Sequence, residues 1–226
     1  MVKSSASITP NRCNPKTIGV GITTTPNRVV DHRLYEFSLP TTTIIIKSDT
    51  SGCGAARMRN SLLADLEDHD YIFLLDDDCF PVMKGWEQYF IDQSEKHGVD
   101  YITLPESFKS ELICVDGEMC RWDIGIGAFT FQTQKALQTI GGYNTNYVRY
   151  GFEDVGRNHR AYMAGLTGGY VCSCPIRSLA YIHSMDVFNE TPPQNLSHEE
   201  KMTFVEQNKH ESLRERLNDQ LFYPFT

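Results

Sequence analysis

The sequence predicts an α/β fold: a mostly parallel sheet flanked by helices, with a small antiparallel element and a C-terminal helix. Three observations lead there. From Thr17 to Asp78, β-branched runs alternate with helical periodicity, the order that builds a helix-covered parallel sheet. The run Tyr71-Ile72-Phe73-Leu74-Leu75 is apolar throughout, as a strand buried on both faces must be. It leads directly into Asp76-Asp77-Asp78, with Pro81 close behind. Carboxylates are thus delivered to the C-terminal strand end, where open α/β sheets bind ligands.

The elements follow in order. Residues 1–16 read as a polar leader. A first strand is expected over 17–23, ending in Thr24-Thr25-Pro26-Asn27-Arg28, and a helix over 28–37. The β-branched run 43–47 is a second strand, closed by Ser48-Asp49 and a turn containing Gly52 and Gly54. Residues 55–66 form a helix with Leu62, Leu63 and Leu66 on one stripe. After the acidic strand come a helix over 85–97, ended by Gly98 as a C′ glycine, and a strand over 101–104. Segments 112–115 and 120–124 flank Asp116-Gly117, a favoured hairpin dipeptide. A strand over 128–131, helices over 134–140 and 153–164, and strands over 169–174 and 179–183 complete the domain. Thr191-Pro192-Pro193 is a break, and Ser197-His198-Glu199-Glu200 resembles a capping box opening a polar helix that runs to about residue 221. The organisation expected is a leader at 1–16, one domain at 17–186, and a C-terminal helical extension at 187–226 packed on it.

A chain of 226 residues suffices for one substantial α/β domain. The net charge of −8 argues against gripping nucleic acid by bulk electrostatics. A local basic channel of Arg121, Arg149, Arg157 and Arg160 would restore that option. No stretch approaches a membrane span and the N-terminus has no apolar signal core. Seven cysteines without CxxC pairs suit a reducing compartment. The expected location is the cytoplasm, and the family resemblance set out below implies that of a bacterium or a phage-infected host. Cys172 and Cys174, two apart, are expected as buried thiols on one strand face.

Three constellations carry chemistry. Asp76-Asp77-Asp78 repel one another, and beside a core that repulsion is costly without a cation. A hard divalent ion shared with a nucleotide diphosphate is the natural partner. Tyr150-Gly151-Phe152-Glu153-Asp154 opens a helix, where carboxylates are electrostatically favoured. Ile182-His183-Ser184 ends a late strand downstream of both acidic motifs, a placement that suits metal ligation. Trp122, ahead of Gly125-Ile126-Gly127, suits either a lid over a ligand or a packed hairpin aromatic. Arg157, Asn158, His159 and Arg160 read as a solvated helix face, and Lys201, Lys209, Arg214 and Arg216 as an exposed helix with i,i+4 pairs.

The order of motifs resembles the GT-A fold of nucleotide-sugar glycosyltransferases, the galactosyltransferase C-terminal type and family-2 enzymes in particular. The resemblance rests on Thr24-Thr25-Pro26-Asn27-Arg28, Ala56-Arg57-Met58-Arg59-Asn60, Leu75-Asp76-Asp77-Asp78 with Pro81, and Gly125-Ile126-Gly127-Ala128-Phe129. It continues through Ile140-Gly141-Gly142-Tyr143, Gly151-Phe152-Glu153-Asp154, Ala164-Gly165 and Tyr181-Ile182-His183-Ser184, covering about residues 17–186. The chain departs from the galactosyltransferase type at Val155-Gly156, where further acids are usual, and has Tyr150 and Phe152 where tryptophan is common.

The resemblance implies a metal-dependent, inverting transferase with an Asp-x-Asp motif and a nucleotide diphosphate sugar donor, UDP foremost. It implies Mn2+ or Mg2+ held by Asp78 and His183. Thr24, Pro26 and Arg28 would line the nucleotide pocket, Asp49 would meet the base and Arg57 the nucleotide, and Asp76 and Asp77 would complete donor binding. Glu153 would hold an acceptor hydroxyl and Asp154 would be the general base, with Trp122, Gly127, Tyr150 and Phe152 at the acceptor or lid. The acceptor would be a glycan or a hydroxymethylated base in phage DNA. A nucleotidyltransferase, or a non-catalytic sugar-nucleotide or glycan-binding module, are the alternatives.

Overall fold

The computed structural model describes residues 16–106, 109–190, 196–218 and 220–225. Almost all of the expected leader, and the Thr191-Pro192-Pro193 break, lie outside the described residues. The chain runs β1 (Ile18–Thr24), α1 (Arg33–Phe37), β2 (Thr43–Ser48), α2 (Ala55–Leu66), β3 (Tyr71–Asp76), β4 (Cys79–Pro81), α3 (Trp86–His97) and β5 (Tyr101–Leu104). It continues with β6 (Leu112–Asp116), β7 (Met119–Trp122), β8 (Ile126–Thr133), α4 (Gln134–Ile140) and α5 (Glu153–Met163). Last come β9 (Cys172–Pro175), α6 (Ser178–Tyr181), β10 (Ile182–Ser184), α7 (Met185–Phe188) and α8 (His198–Arg216).

The central sheet has the order β2-β1-β3-β8-β5. β2, β1 and β3 are parallel, and β8 is antiparallel to both of its neighbours, so four of the five strands share one direction. The α/β class with a mostly parallel sheet therefore holds. The small antiparallel element is a three-stranded sheet, β6-β7-β9, with the Asp116-Gly117 hairpin at its edge. Cys172 and Cys174 are buried on β9, as expected.

The unbroken apolar run of β3 serves both faces of the sheet. Phe73 and Leu75 face one core with Trp86 and Phe90 of α3 and with Phe129 and Phe131 of β8. Phe73 meets Trp86 edge-on at 4.8 Å between ring centroids. Ile72 and Leu74 face the other core with Leu62, Leu63 and Leu66 of α2. Each such buried side chain contributes roughly 1.5–3 kcal/mol. A Cβ at Gly19 would lie 2.7 Å from Leu66, so the glycine lets α2 lie close on β1.

Several elements differ from the sequence reading. The helix expected over 28–37 begins only at Arg33, because Asp31 first makes a turn that accepts the amide of Arg33 at 2.9 Å. The strand expected over 179–183 is a helical turn, α6, followed by the three-residue β10. β10 pairs antiparallel with β4, a strand too short to show periodicity, which directly follows the acidic run. The last helix stops at Arg216.

The C-terminal helix is not merely an exposed, self-paired element. Glu215 is buried and accepts from Arg160 Nε at 2.8 Å, and Asn208 and Ser212 are buried beside it. Its surface ion pairs are i,i+3, Glu206–Lys209 and Glu211–Arg214. Arg157 and Arg160, read as solvated, are 0% and 2% exposed. They lie on the inner face of α5 and are satisfied by Gln132 and the carbonyls of Ile140, Gly141 and Gly142.

Candidate active site

A cleft of about 570 Å³ opens at the C-terminal ends of β1, β2 and β3. It is lined by Thr23 to Arg28, Asp49, Asp76 to Asp78, Arg149 and Tyr150, Asp186, and Glu200 and Lys201. Parallel register places Thr23 of β1 opposite Asp76 of β3. The Thr23 hydroxyl accordingly donates to Asp76 at 3.1 Å, and the Thr24 hydroxyl to Asp77 at 2.6 Å.

The turn closed by the Arg28 amide on the Thr25 carbonyl sends the Arg28 guanidinium back over the acids. It bridges Asp77 at 2.8 Å and Asp78 at 3.0 Å. Burial pushes the Asp77 carboxyl up to about 6 against the Thr24 hydroxyl and the Arg28 charge. Burial, then Asp76, raises Asp78 as well. Asp78 Oδ1 is buried and has no hydrogen-bond partner among the described residues. Asp49 fastens the loop after β2 through the amides of Cys53 at 2.8 Å and Gly54 at 2.9 Å. Burial would raise its carboxyl, but those amides outweigh burial and leave it low.

A second acidic centre lies at the start of α5. Glu153 is buried and accepts from Arg59 Nη1 at 3.2 Å. Asp154 accepts from the Gly127 amide at 2.7 Å and from its neighbour Val155 at 2.9 Å. Both carboxyls are raised, primarily by burial, with Asp154 adding to the effect at Glu153. A Cβ at Gly127 would stand 2.7 Å from Asp154 and 2.8 Å from Arg59, so β8 must carry glycine there. Arg59 joins the two centres: its Nη2 donates to Asp76 at 2.7 Å and to the Gly127 carbonyl at 3.2 Å.

The structure brings Thr24, Pro26, Arg28, Asp49, Asp76, Asp77, Asp78 and Tyr150 to one cleft. Glu153 and Asp154 lie together behind it, with Gly127 at Asp154 and Phe152 as the left-handed residue that starts α5. Arg57 is not with them: it is exposed on α2, with its guanidinium 3.4 Å from the Cys53 carbonyl. Two residues on a helix are about 200° apart, so Arg59, not Arg57, faces the acids. Trp122 is no part of the cleft lining; it packs against the core from β7.

His183 also lies away from the cleft lining. Its ring stacks between Phe80 at 5.0 Å and Phe188 at 4.9 Å, and Nε2 is 3.0 Å from Glu190. Three residues later Asp186 faces the acids instead. Although that side chain is exposed, the enclosing walls, and then Asp78 and Asp76, push its carboxyl up to about 6. Among the described residues no three His, Cys, Asp or Glu side chains converge to hold a metal ion by themselves. Sequence reading missed Arg59, Asp186 and Lys201. The last reaches the cleft from α8 with its Nζ 5.1 Å from the Tyr150 ring centroid.

No protein-family model matches this chain, and no curated protein does. Among solved structures, A197 from STIV is 14% identical over 54% of this chain and 67% of that one, with a TM-score of 0.37. S. aureus TarS 1-349 in complex with UDP is 11% identical, with 65% of this chain and 55% of that one covered and a TM-score of 0.48. The chain thus spans about half of that structure's length. The catalytic domain of Drosophila β1,4-galactosyltransferase 7 with xylobiose is 12% identical, with 84% and 79% covered and a TM-score of 0.45.

Proposed function

We propose that this protein is a metal-dependent, inverting glycosyltransferase that moves a sugar from a nucleoside diphosphate to an acceptor hydroxyl. The observation that carries this reading is the pairing of two acidic centres by one arginine. One centre, Asp76 to Asp78, lines a cleft wide enough for a nucleotide; the other, the buried Glu153 and the half-buried Asp154, opens a helix; Arg59 binds both.

Asp78, with its unpartnered inner oxygen, and Asp186 beside it are the groups that would hold a divalent ion. Such ions bind through one or two carboxylates with substrate phosphates and water completing the shell. When bound, Mn2+ or Mg2+ would stabilise charge on the departing diphosphate. Arg28 would turn from Asp77 and Asp78 toward that charge, and Lys201 would meet it from the opposite wall. Asp49 holds the loop at the base end of the cleft, where Thr24 and Pro26 form the facing wall.

Asp154 would take the proton of the acceptor hydroxyl as its oxygen forms the new bond to the anomeric carbon. The bond from that carbon to the diphosphate breaks on the opposite face, which inverts the centre. Burial raises Asp154 and makes it a better base than a solvated aspartate. Glu153, fixed by Arg59, would orient the acceptor. A glycan hydroxyl is the favoured acceptor, because three of the four arginines of the basic channel that DNA would need are buried, and of the four Arg149 alone lines the cleft. Arg121, Arg157 and Arg160 are buried and engaged internally.

Calorimetry of the wild type and Asp78→Ala with UDP, GDP and CDP, each with and without Mn2+, tests the reading. Metal-dependent binding of one nucleotide, lost in the variant, supports it. Absence of binding by all three sinks it.

A further inference from the structure

α8 holds the loop that lines the cleft and leads into the second acidic centre. We infer that Asn208 of α8 is a positioning residue for the active site, acting through the backbone of Val148 to Gly151. The inference rests on the glycosyltransferase reading for what the loop serves, but not for what Asn208 does to the loop.

Asn208 is 1% exposed. Its Oδ1 accepts from the Val148 amide at 2.7 Å. Its Nδ2 lies within hydrogen-bond distance of three carbonyls, those of Val148 at 2.9 Å, Tyr150 at 2.9 Å and Gly151 at 3.0 Å, among which its two N–H groups are shared. One amide side chain thus meets four backbone groups of a segment about 60 residues upstream. The segment needs that support. Arg149 has φ 46°, Gly151 φ 96° and Phe152 φ 72°. Left-handed backbone at non-glycine residues is costly and persists only where the surroundings over-determine it.

The shape matters because of what the loop carries. Arg149 and Tyr150 line the cleft. Phe152 accepts the Gly156 amide as the first backbone bond of α5, so the loop also sets where Glu153 and Asp154 start. On its far side the loop is pinned to the end of the other cleft wall, with the Ala55 amide on the Arg149 carbonyl and Arg149 Nε on the Gly52 carbonyl. α8 is itself fixed to α5 by the buried Glu215–Arg160 pair. Asn208 therefore ties a rigid helix to a strained loop, and the loop sets the spacing between donor cleft and acid pair.

Asn208→Ser and Asn208→Leu in the full chain test this, at a temperature where circular dichroism shows both folded. Trypsin cutting after Arg149 reports loop release; cutting after Lys84, exposed in the turn between β4 and α3, reports general loosening. Loss of the clamp is expected to speed the Arg149 cut about tenfold relative to the Lys84 cut, since proteolysis follows local opening. Metal-dependent hydrolysis of the nucleotide sugar is expected to fall about 10–100-fold in kcat, with its KM within about threefold, because misplacement acts on the reacting geometry. An unchanged ratio of the two cuts, or rates at Arg149 and Lys84 rising together, overturns the clamp. A released loop with unchanged kcat overturns the positioning role. If the wild type hydrolyses no nucleotide sugar, the glycosyltransferase reading fails, and the cleavage ratio alone decides whether Asn208 sets the loop.

Discussion

The Asp76–Asp78 run and the Glu153–Asp154 pair are the same chemistry in two settings. The first sits where a buried strand meets a cleft; Asp76 shares Arg59 with the second centre, but Asp77 and Asp78 are countered by Arg28, a half-buried side chain that lines the cleft from a turn. The second sits at a helix start, and its partners cannot swing: the backbone amides of Gly127 and Val155, and the buried Arg59. The difference teaches how one residue type serves two purposes. Carboxylates with an exchangeable partner can take up a ligand; carboxylates with fixed partners keep a geometry and a raised proton affinity.

Substitutions that treat the two centres differently test that contrast. Asp154→Asn is expected to leave nucleotide Kd within about threefold while transfer falls by about 10²–10⁴, the usual worth of a general base. A matching loss of nucleotide affinity would place Asp154 in the donor site and erase the distinction. Arg59→Met removes the shared counter-charge and is expected to cost about 3–5 kcal/mol in urea unfolding, as for a broken buried pair. A cost below about 1 kcal/mol would mean that the centres are not coupled through it.

Asp186→Asn should raise the Mn2+ concentration needed for half-maximal activity by about tenfold or more, as loss of a ligand or its support does. His183→Ala should leave that titration unchanged. The reverse result would return the metal to His183.

The smallest effect is in pH dependence. Burial raises Glu153, so its neutral form is the one the fold favours. The stability it contributes is full below the ordinary Glu value of about 4.3 and is lost as the pH rises through the raised folded value. Glu153→Gln should flatten that part of the Tm–pH curve; parallel curves for variant and wild type would mean that Glu153 does not titrate in the fold.

Local patterns carried much of this architecture into the sequence. β1, β2, β3 and α2 are legible because each repeats its own period, and the acidic run because it ends an apolar strand. What escaped depends on partners distant in the chain. Arg57 and Arg59 differ only in helix phase, and nothing local says which one faces Asp76. Arg157 and Arg160 look solvated until the buried Glu215, 55 residues downstream of Arg160, and the Ile140–Gly142 carbonyls are in place. His183 carries the residue type a metal wants, but alternation along β10 points it at Phe80 and Phe188. Asp186, on a helix of four residues, gave no periodic signal.

The contact at Gly54 has a consequence for how the cleft can change shape. A Cβ there would lie 2.6 Å from the Arg149 Cα, so the loop after β2 and the loop before α5 touch backbone to backbone. With Asn208 bonded to the same segment, these three stretches of chain form one hydrogen-bonded block. An insertion in any one of them must be matched in the others, and variation in ligand preference is confined to the side chains that the block presents.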